Sequence, residues 1–343
     1  MSESSIETVG QLEEKLAEPT RGLIDDFSNL SGDVIILGAG GKIGPSLARM
    51  AQVTFNQIGS TNKVVAVSRF SAPEKKNKLE ECGVETVSAD LMEDVQLRKL
   101  PDAENVIYMV GRKFGTSGGE ERTWAINSYL PGRIAQKFKA SKVVVFSTGN
   151  VYPLIPLKKV GATEGCSANP VGEYGQSCLG RERVFEHFSK AFEIPMVFLR
   201  LNYAVELRYG ILIDIARAVK EGRPVDLTMG YVNVVWQRYV NEVALRSLLL
   251  CKSPPQVLNV TGPETVPVRR LARQFGSLFN VEPQIEGEEE EDALLSDATL
   301  AHRLFGYPRV PLGQIIEWTA QWVKEGRPTY DKPTHFQERE GDF

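Results

Sequence analysis

Four cysteines and three histidines in 343 residues leave little material for metal or disulfide chemistry. Cys82, Cys166, Cys178 and Cys251 form no Cys-x-x-Cys pair, and none of His187, His302 and His335 lies near a cysteine pair, which argues against a structural zinc site. No excess of positive charge exists either: 40 Lys and Arg face 44 Asp and Glu, for a net charge of −4. A nucleic-acid partner, which needs a basic domain or stripe, is not expected. No apolar run is long enough to span a bilayer, and the opening MSESSIETVGQLEEKLAE lacks a basic start and an apolar stretch. The expectation is a cytoplasmic protein with reduced thiols and no membrane partner.

What is present is ordinary globular material, 42% hydrophobic and 24% charged, with 30 Gly and 19 Pro. The length exceeds a usual single domain, so a large domain with a smaller lobe is expected. Residues 1–30 read as a helical arm with the stripe Leu12, Leu16, Leu23, Ile24 and Phe27, interrupted at Pro19. Such an arm packs on the body or on a partner. From Ser31 onward, brief β-branched runs alternate with amphipathic stretches, the pattern of parallel strands covered on both faces by crossover helices. Strands are predicted at 33–37, 63–67, 85–88, 105–109, 142–147, 195–201 and 256–260. Helices are predicted at 43–55, 123–139, 174–192, 211–221, 240–251, 268–279, 299–305 and 312–326. The fold class is therefore α/β, a doubly wound parallel sheet over 31–204 that also receives about 231–262. A smaller C-terminal substrate lobe takes 205–230 and 263–330, and 331–343 is a polar tail.

The glycines of Val34-Ile-Ile-Leu-Gly38-Ala-Gly-Gly41-Lys-Ile-Gly44 leave a buried strand and open a helix. In that context Gly38 permits the turn, Gly41 lets backbone approach a diphosphate, and Gly44 allows close helix packing, while Lys42 and Ile43 lie at the helix start with its free amides. The pattern points to a dinucleotide. After the second strand an acidic residue would bind the ribose hydroxyls of NAD, but here stand Ser68, Arg69 and Ser71. With Lys42 they suit a 2′-phosphate, which favours NADP over NAD. Asp90 and Leu91 follow the third strand, where adenine is met.

Further along come Val106-Ile-Tyr-Met-Val110-Gly111, Phe146-Ser-Thr148-Gly-Asn-Val-Tyr152, Tyr174-Gly-Gln-Ser-Cys178, Arg200-Leu-Asn202-Tyr and Leu258-Asn-Val-Thr-Gly262-Pro-Glu. Taken in order with the glycine turn, these segments resemble the extended short-chain dehydrogenase/reductase family, also called the NAD-dependent epimerase/dehydratase family. The resemblance spans most of the chain. It implies hydride exchange at a nicotinamide, with Tyr174 moving the proton and Thr148 holding the reacting oxygen. It also implies that Val110, Gly111, Asn127 and Tyr174 line the cofactor, and that two sheet-flanking helices form a homodimer. The family pattern is Tyr-x-x-x-Lys, and this chain has Cys178 at the lysine position. Three readings of Cys178 stand: a small apolar residue in a site that lost its proton chemistry, a neutral position whose cation moved to Arg112 or Lys113, or a thiol nucleophile.

Sugar-nucleotide members of the family use basic residues to grip the substrate diphosphate, whereas the matching region here, residues 285–297, carries the run Glu288-Glu-Glu-Glu291-Asp292. That run disfavours a diphosphate, and a free sugar, sugar acid or lactone is the expected substrate on the strength of the pocket wall. Asn150, Tyr152, Asn202, Tyr203, Arg208 and Trp236 are expected on the pocket wall, where aromatics stack on a ring and amides bond its hydroxyls. A nucleotide-sugar epimerase or dehydratase, and a catalytically silent NAD(P)-binding protein, are the alternatives.

Overall fold

The structure is a computed structural model and describes residues 5–343. Seven short strands form one sheet: β1 (Val34–Leu37), β2 (Val64–Ser68), β3 (Glu85–Ser88), β4 (Asn105–Tyr108), β5 (Lys142–Thr148), β6 (Met196–Leu201) and β7 (Gln256–Val260). Their order is β7-β6-β5-β4-β1-β2-β3 and every pairing is parallel. Because strand side chains alternate, Ile36, Ala66, Ile107 and Val144 enter one core while Ile35, Val65, Val106 and Val143 enter another on the opposite face. The order reverses beside β1 and β4, which opens a crevice at their C-terminal ends.

Helices α1 (Val9–Ala17) and α2 (Arg21–Phe27) are the predicted arm, parted at Pro19 and capped by Thr8 and Thr20. Residues 1–4 of that arm lie outside the described residues. Leu12 and Leu16 enter the core of the lobe and Leu23 and Phe27 that of the sheet, so the arm packs on the body. After β1 comes α3 (Gly44–Gln57), after β2 α4 (Pro73–Glu81), and before β4 α5 (Asp94–Arg98).

The single helix expected over 123–139 is instead α6 (Glu120–Trp124), a wide turn over Ala125–Tyr129, and α7 (Leu130–Lys137). Pro131 explains the break, since it has no N–H to give the carbonyl four residues back, that of Asn127. Next come α8 (Gly172–Phe192), α9 (Ile211–Lys220), α10 (Gln237–Arg246), α11 (Val268–Phe279), α12 (Thr299–Phe305) and α13 (Leu312–Lys324). The helix expected over 240–251 begins earlier, at Gln237, and ends in a tighter turn over Ser247–Leu250. Helices α9, α11 and α13 enclose the lobe core around Trp236, Trp318 and Trp322.

Among the described residues no helix is long and apolar enough to cross a membrane, and no cluster of three metal-ligating side chains occurs. Residues 331–343, read from sequence as a polar tail, fold back on the body. Phe336 is buried in the lobe core, and the Phe343 carbonyl accepts from the amides of Thr116 (2.7 Å) and Ser117 (3.2 Å).

Candidate active site

The glycine turn is built by close approach. Gly38 has φ +93°, and a Cβ there would stand 3.0 Å from the Val110 amide nitrogen, so the turn is pressed against the exit of β4. A Cβ on Gly44 would overlap the backbone of Ala39, which brings α3 tight against the turn. Gly40, rather than Gly41, abuts Ser68. Around Gly41 the nearest atom is the Gly38 carbonyl oxygen at 3.5 Å, which leaves its outer side free for a ligand. Ile43 begins α3 without a side-chain cap, so the first amides of the helix face this space. An uncapped helix start above an open glycine backbone fits a diphosphate.

Beyond β2, Ser68 is half-buried while Arg69 and Ser71 are exposed. Arg69 forms no hydrogen bond or ion pair among the described residues, and Lys75 on α4 reaches the Gly40 carbonyl at 3.0 Å. Lys42 is engaged by aromatic rings: its ammonium lies 3.3 Å from the ring centre of Tyr209 and 4.8 Å from that of Phe114. Burial, then the neighbouring ammoniums of Lys332 and Lys113, lower its pKa to about 8. Asp90 accepts from the Met92 amide (2.9 Å), which shapes the turn ahead of α5, and Leu91 is buried.

At the end of β5 the Thr148 hydroxyl accepts from the Asn150 amide (3.2 Å) and donates to Asn150 Oδ1 (3.0 Å). A Cβ on Gly175 would stand 2.7 Å from the Asn150 carbonyl, so the absence of a side chain lets α8 bring Tyr174 against this turn. The side chains of Thr148 and Cys178 lie close enough to the Tyr174 phenol to act on its ionisation. Burial, then the Cys178 side chain, push the phenol pKa well up, opposed by Arg181 and Thr148, so the phenol is held protonated. Burial also raises the Cys178 pKa, which makes it a neutral thiol.

Two cations stand near the phenol. Lys113 Nζ lies 5.7 Å from the Tyr174 ring centre, and burial lowers its pKa to about 8. Arg112, the other cation expected from sequence, folds back onto the Gly115 carbonyl instead. Arg181 was not expected. It is buried and donates to the Phe146 carbonyl (2.8 Å) and Asn127 Oδ1 (2.8 Å). The signal was available, because Tyr174, Cys178 and Arg181 are spaced four and three residues apart and share one helix face. Asn127 also joins the Arg112 backbone and the Ser177 hydroxyl, fastening the loop after β4 to α8. Gly111 is exposed on that loop, and a Cβ there would stand 2.8 Å from Arg181 Nη2. Ser147, beside Thr148, donates to Glu182, which is itself paired with Arg200.

The expected substrate wall is only partly assembled. Asn150 lines a small cavity with Tyr152 and Phe343. Tyr152 is buried and bonds Asn259 (2.8 Å), and Asn202 is buried and gives its amide to the Leu294 carbonyl (3.0 Å). Tyr203 packs near Phe336, its hydroxyl 3.4 Å from that residue's carbonyl oxygen. Arg208 is engaged by Glu206 and Glu13. Trp236 is a correction to the sequence reading: its ring packs in the lobe core, 5.7 Å from that of Trp318, and is only 1% exposed. In the acidic run Glu289 pairs with Arg269 and Asp292 with Arg339, while Glu288 and Glu290 are exposed.

The family model of the NAD dependent epimerase/dehydratase family matches residues 34–228. No curated protein sequence matches the chain. Among solved structures, the chain is similar to UDP-glucuronic acid 4-epimerase from Bacillus cereus in complex with NAD, at 17% identity and TM-score 0.71 over 85% of this chain and 99% of that one. It is also similar to UDP-glucose 4-epimerase from Thermotoga maritima with UDP-glucose, at 16% identity and TM-score 0.68 over 86% and 99%. UDP-glucose 4-epimerase from Thermus thermophilus with NAD gives 16% identity and TM-score 0.68 over 85% and 99%.

Proposed function

The chain belongs to the NAD dependent epimerase/dehydratase family, and on that footing we propose that it is an NADP(H)-linked oxidoreductase that reduces a small, carbohydrate-like carbonyl compound such as a sugar acid or lactone. The uncapped start of α3 and the backbone around Gly41 receive the diphosphate. Ser68, Arg69 and Ser71, with Lys75 near Gly40, receive the 2′-phosphate, and Asp90 and Leu91 lie toward adenine. Val110, Gly111 and Asn127 frame the reactive end. When bound, the nicotinamide supplies the hydride.

The observation that carries this reading is the Tyr174 phenol, held protonated against the Thr148 hydroxyl with Lys113 and Arg181 beside it. The phenol carries its proton, and the positive charge beside it is what lets that proton pass to the oxygen of a carbonyl under reduction. Thr148 orients that oxygen. The two cations stabilise the phenolate left behind, the task that the neutral Cys178 cannot perform. Lys42 and Lys113 also make the crevice attractive to a carboxylate.

A second reading, a nucleotide-sugar epimerase, is favoured by the structural likeness to UDP-sugar 4-epimerases. The two differ in what NADPH deuterated at C4 does. Stereospecific transfer of deuterium into a member of a sugar-acid and lactone panel is the expected result. Interconversion of a UDP-sugar with retained NAD would replace it by the second reading, and tight cofactor binding with no transfer to any compound would sink both. The homodimer stands on the exposed aromatics Trp124, Tyr129 and Phe192 of the α6–α8 face, and light scattering on the purified chain tests it.

A further inference from the structure

The segment after α13 crosses the mouth of the crevice in two unequal parts. Its base is firmly held. Thr334 gives both its amide (2.8 Å) and its hydroxyl (2.6 Å) to Asp214, Phe336 is buried in the lobe core, and Arg339 pairs with Asp292 while donating to the Asp292 (2.9 Å) and Thr228 (3.2 Å) carbonyls. The tip turns inward at Gly341, which has φ +86° and packs so closely on Gly172 that a Cβ on either would stand 2.6 Å from the other's Cα.

Beyond that turn Phe343 is held by contacts that a ligand can exchange. Its carbonyl meets two amides, its ring stands edge-on to Tyr174 with centroids 5.6 Å apart, and Lys113 Nζ lies 3.9 Å from its ring centre. The cavity left between the strap, Asn150 and Tyr152 is about 20 Å³, enough for one water molecule.

We propose that Phe343 is a specificity-determining residue: its ring holds the seat of the substrate, so the site admits a single-ring anionic substrate that displaces the tip and excludes a diphosphate-linked sugar. The proposal rests on Tyr174 being the proton donor. Moving Phe343 alone frees the space of one six-membered ring beside the ring of Tyr174. A nucleotide-linked sugar needs more, because its larger body must also dislodge Glu338 and Arg339, which line the same cavity. Once Phe343 leaves, Lys113 loses the π face beneath its ammonium, and a carboxylate on the incoming ring replaces it.

Calorimetric titration of glucuronate and of UDP-glucose, with and without NADPH, tests the gate on the full chain, on Phe343→Ala and on a chain ending at Gln337. Glucuronate is expected to bind the full chain and to bind Phe343→Ala about tenfold more tightly, the size of the aromatic contacts removed. UDP-glucose is expected to bind only the shortened chain. NADPH affinity is expected to be the same in all three, which separates this test from the reading beneath it: loss of NADPH binding everywhere overturns the proposed function instead. Equal UDP-glucose affinity in full and shortened chains overturns the gate. So does glucuronate affinity indifferent to Phe343→Ala, or a shortened chain that binds neither probe. Should the shortened chain misfold, Phe343→Ala, which keeps the whole base of the strap, decides the matter.

Discussion

A buried guanidinium is costly unless something anionic answers it, and Arg181 has no carboxylate within ion-pair distance among the described residues, while its Nε has no hydrogen-bond partner. Under the proposed function, the phenolate that Tyr174 forms on giving up its proton would be one such anion, with Cys178 and Tyr108 also acting on the guanidinium. Arg181→Met is therefore expected to lower kcat by about 10- to 100-fold, the worth of ~1–3 kcal/mol of charge stabilisation, with KM for NADPH unchanged and Arg181→Lys recovering part of the loss. Steady-state rates and a kcat–pH profile check it, since a merely structural role would not move the profile. Tyr174→Phe should cost about 10²- to 10⁴-fold in kcat/KM while fluorescence titration shows cofactor still bound.

The lysines give a pH dependence of definite sign. Both Lys42 and Lys113 have pKa values lowered to about 8, so each is charged below that pH and neutral above it. Affinity for an anionic substrate should fall as pH rises through about 8, and Lys113→Gln should flatten the curve when binding is followed by calorimetry. At this scale the sequence made visible what is local: the glycine spacing, the place of Thr148 at a strand end, and the spacing of Tyr174 with Cys178 on one helix face. It misled where a partner lies far along the chain. Nothing near Trp236 announces Trp318, and nothing near Arg208 announces Glu13, so strand-end residues that serve packing were indistinguishable from residues that serve a ligand.

Among the elements, the turn between β1 and α3 has little room for change. Gly44→Ala sets a methyl into the Ala39 backbone, so either the turn opens or α3 retreats from it. An overpacking cost of about 1–3 kcal/mol is expected in urea unfolding, together with weaker NADPH binding if, as proposed, the displaced amides receive the diphosphate. A stability loss without a binding loss would show that α3 does not serve the cofactor. The main strands were readable because runs such as Val34–Leu37 are short, apolar and flanked by breakers. The two-residue pairing of Ile155–Pro156 with Asp292–Ala293, which draws the acidic run toward the crevice, was not, since two residues carry no period. The wide turn before Pro131 lay between these cases. The proline was visible, but a helix pattern on both sides of it reads as one helix.

For the whole molecule, the question is what keeps lobe and sheet in one register, since the crevice lies between them. The arm answers it through apolar contact: Leu12 and Leu16 belong to the lobe core and Leu23 and Phe27 to the sheet core, with the Pro19 corner between. Charge adds little by comparison. Glu13 joins Arg208 (3.0 Å) and Lys78 (3.3 Å), but Lys78 is well exposed and Arg208 keeps Glu206 when Glu13 is lost. Leu16→Ala is thus expected to lower the unfolding free energy by about 2–5 kcal/mol, as for other fully buried leucines, while Glu13→Ala costs under about 1 kcal/mol. Urea denaturation measures both. Because the strap is anchored to the lobe at Asp214 and Asp292, whereas Tyr174 rides on a helix of the sheet, a lobe loosened by Leu16→Ala should also release Phe343 from Tyr174. Faster hydrogen exchange at the Thr116 and Ser117 amides in that variant would show the coupling, and unchanged exchange beside a full stability loss would show that the strap is held independently of the arm.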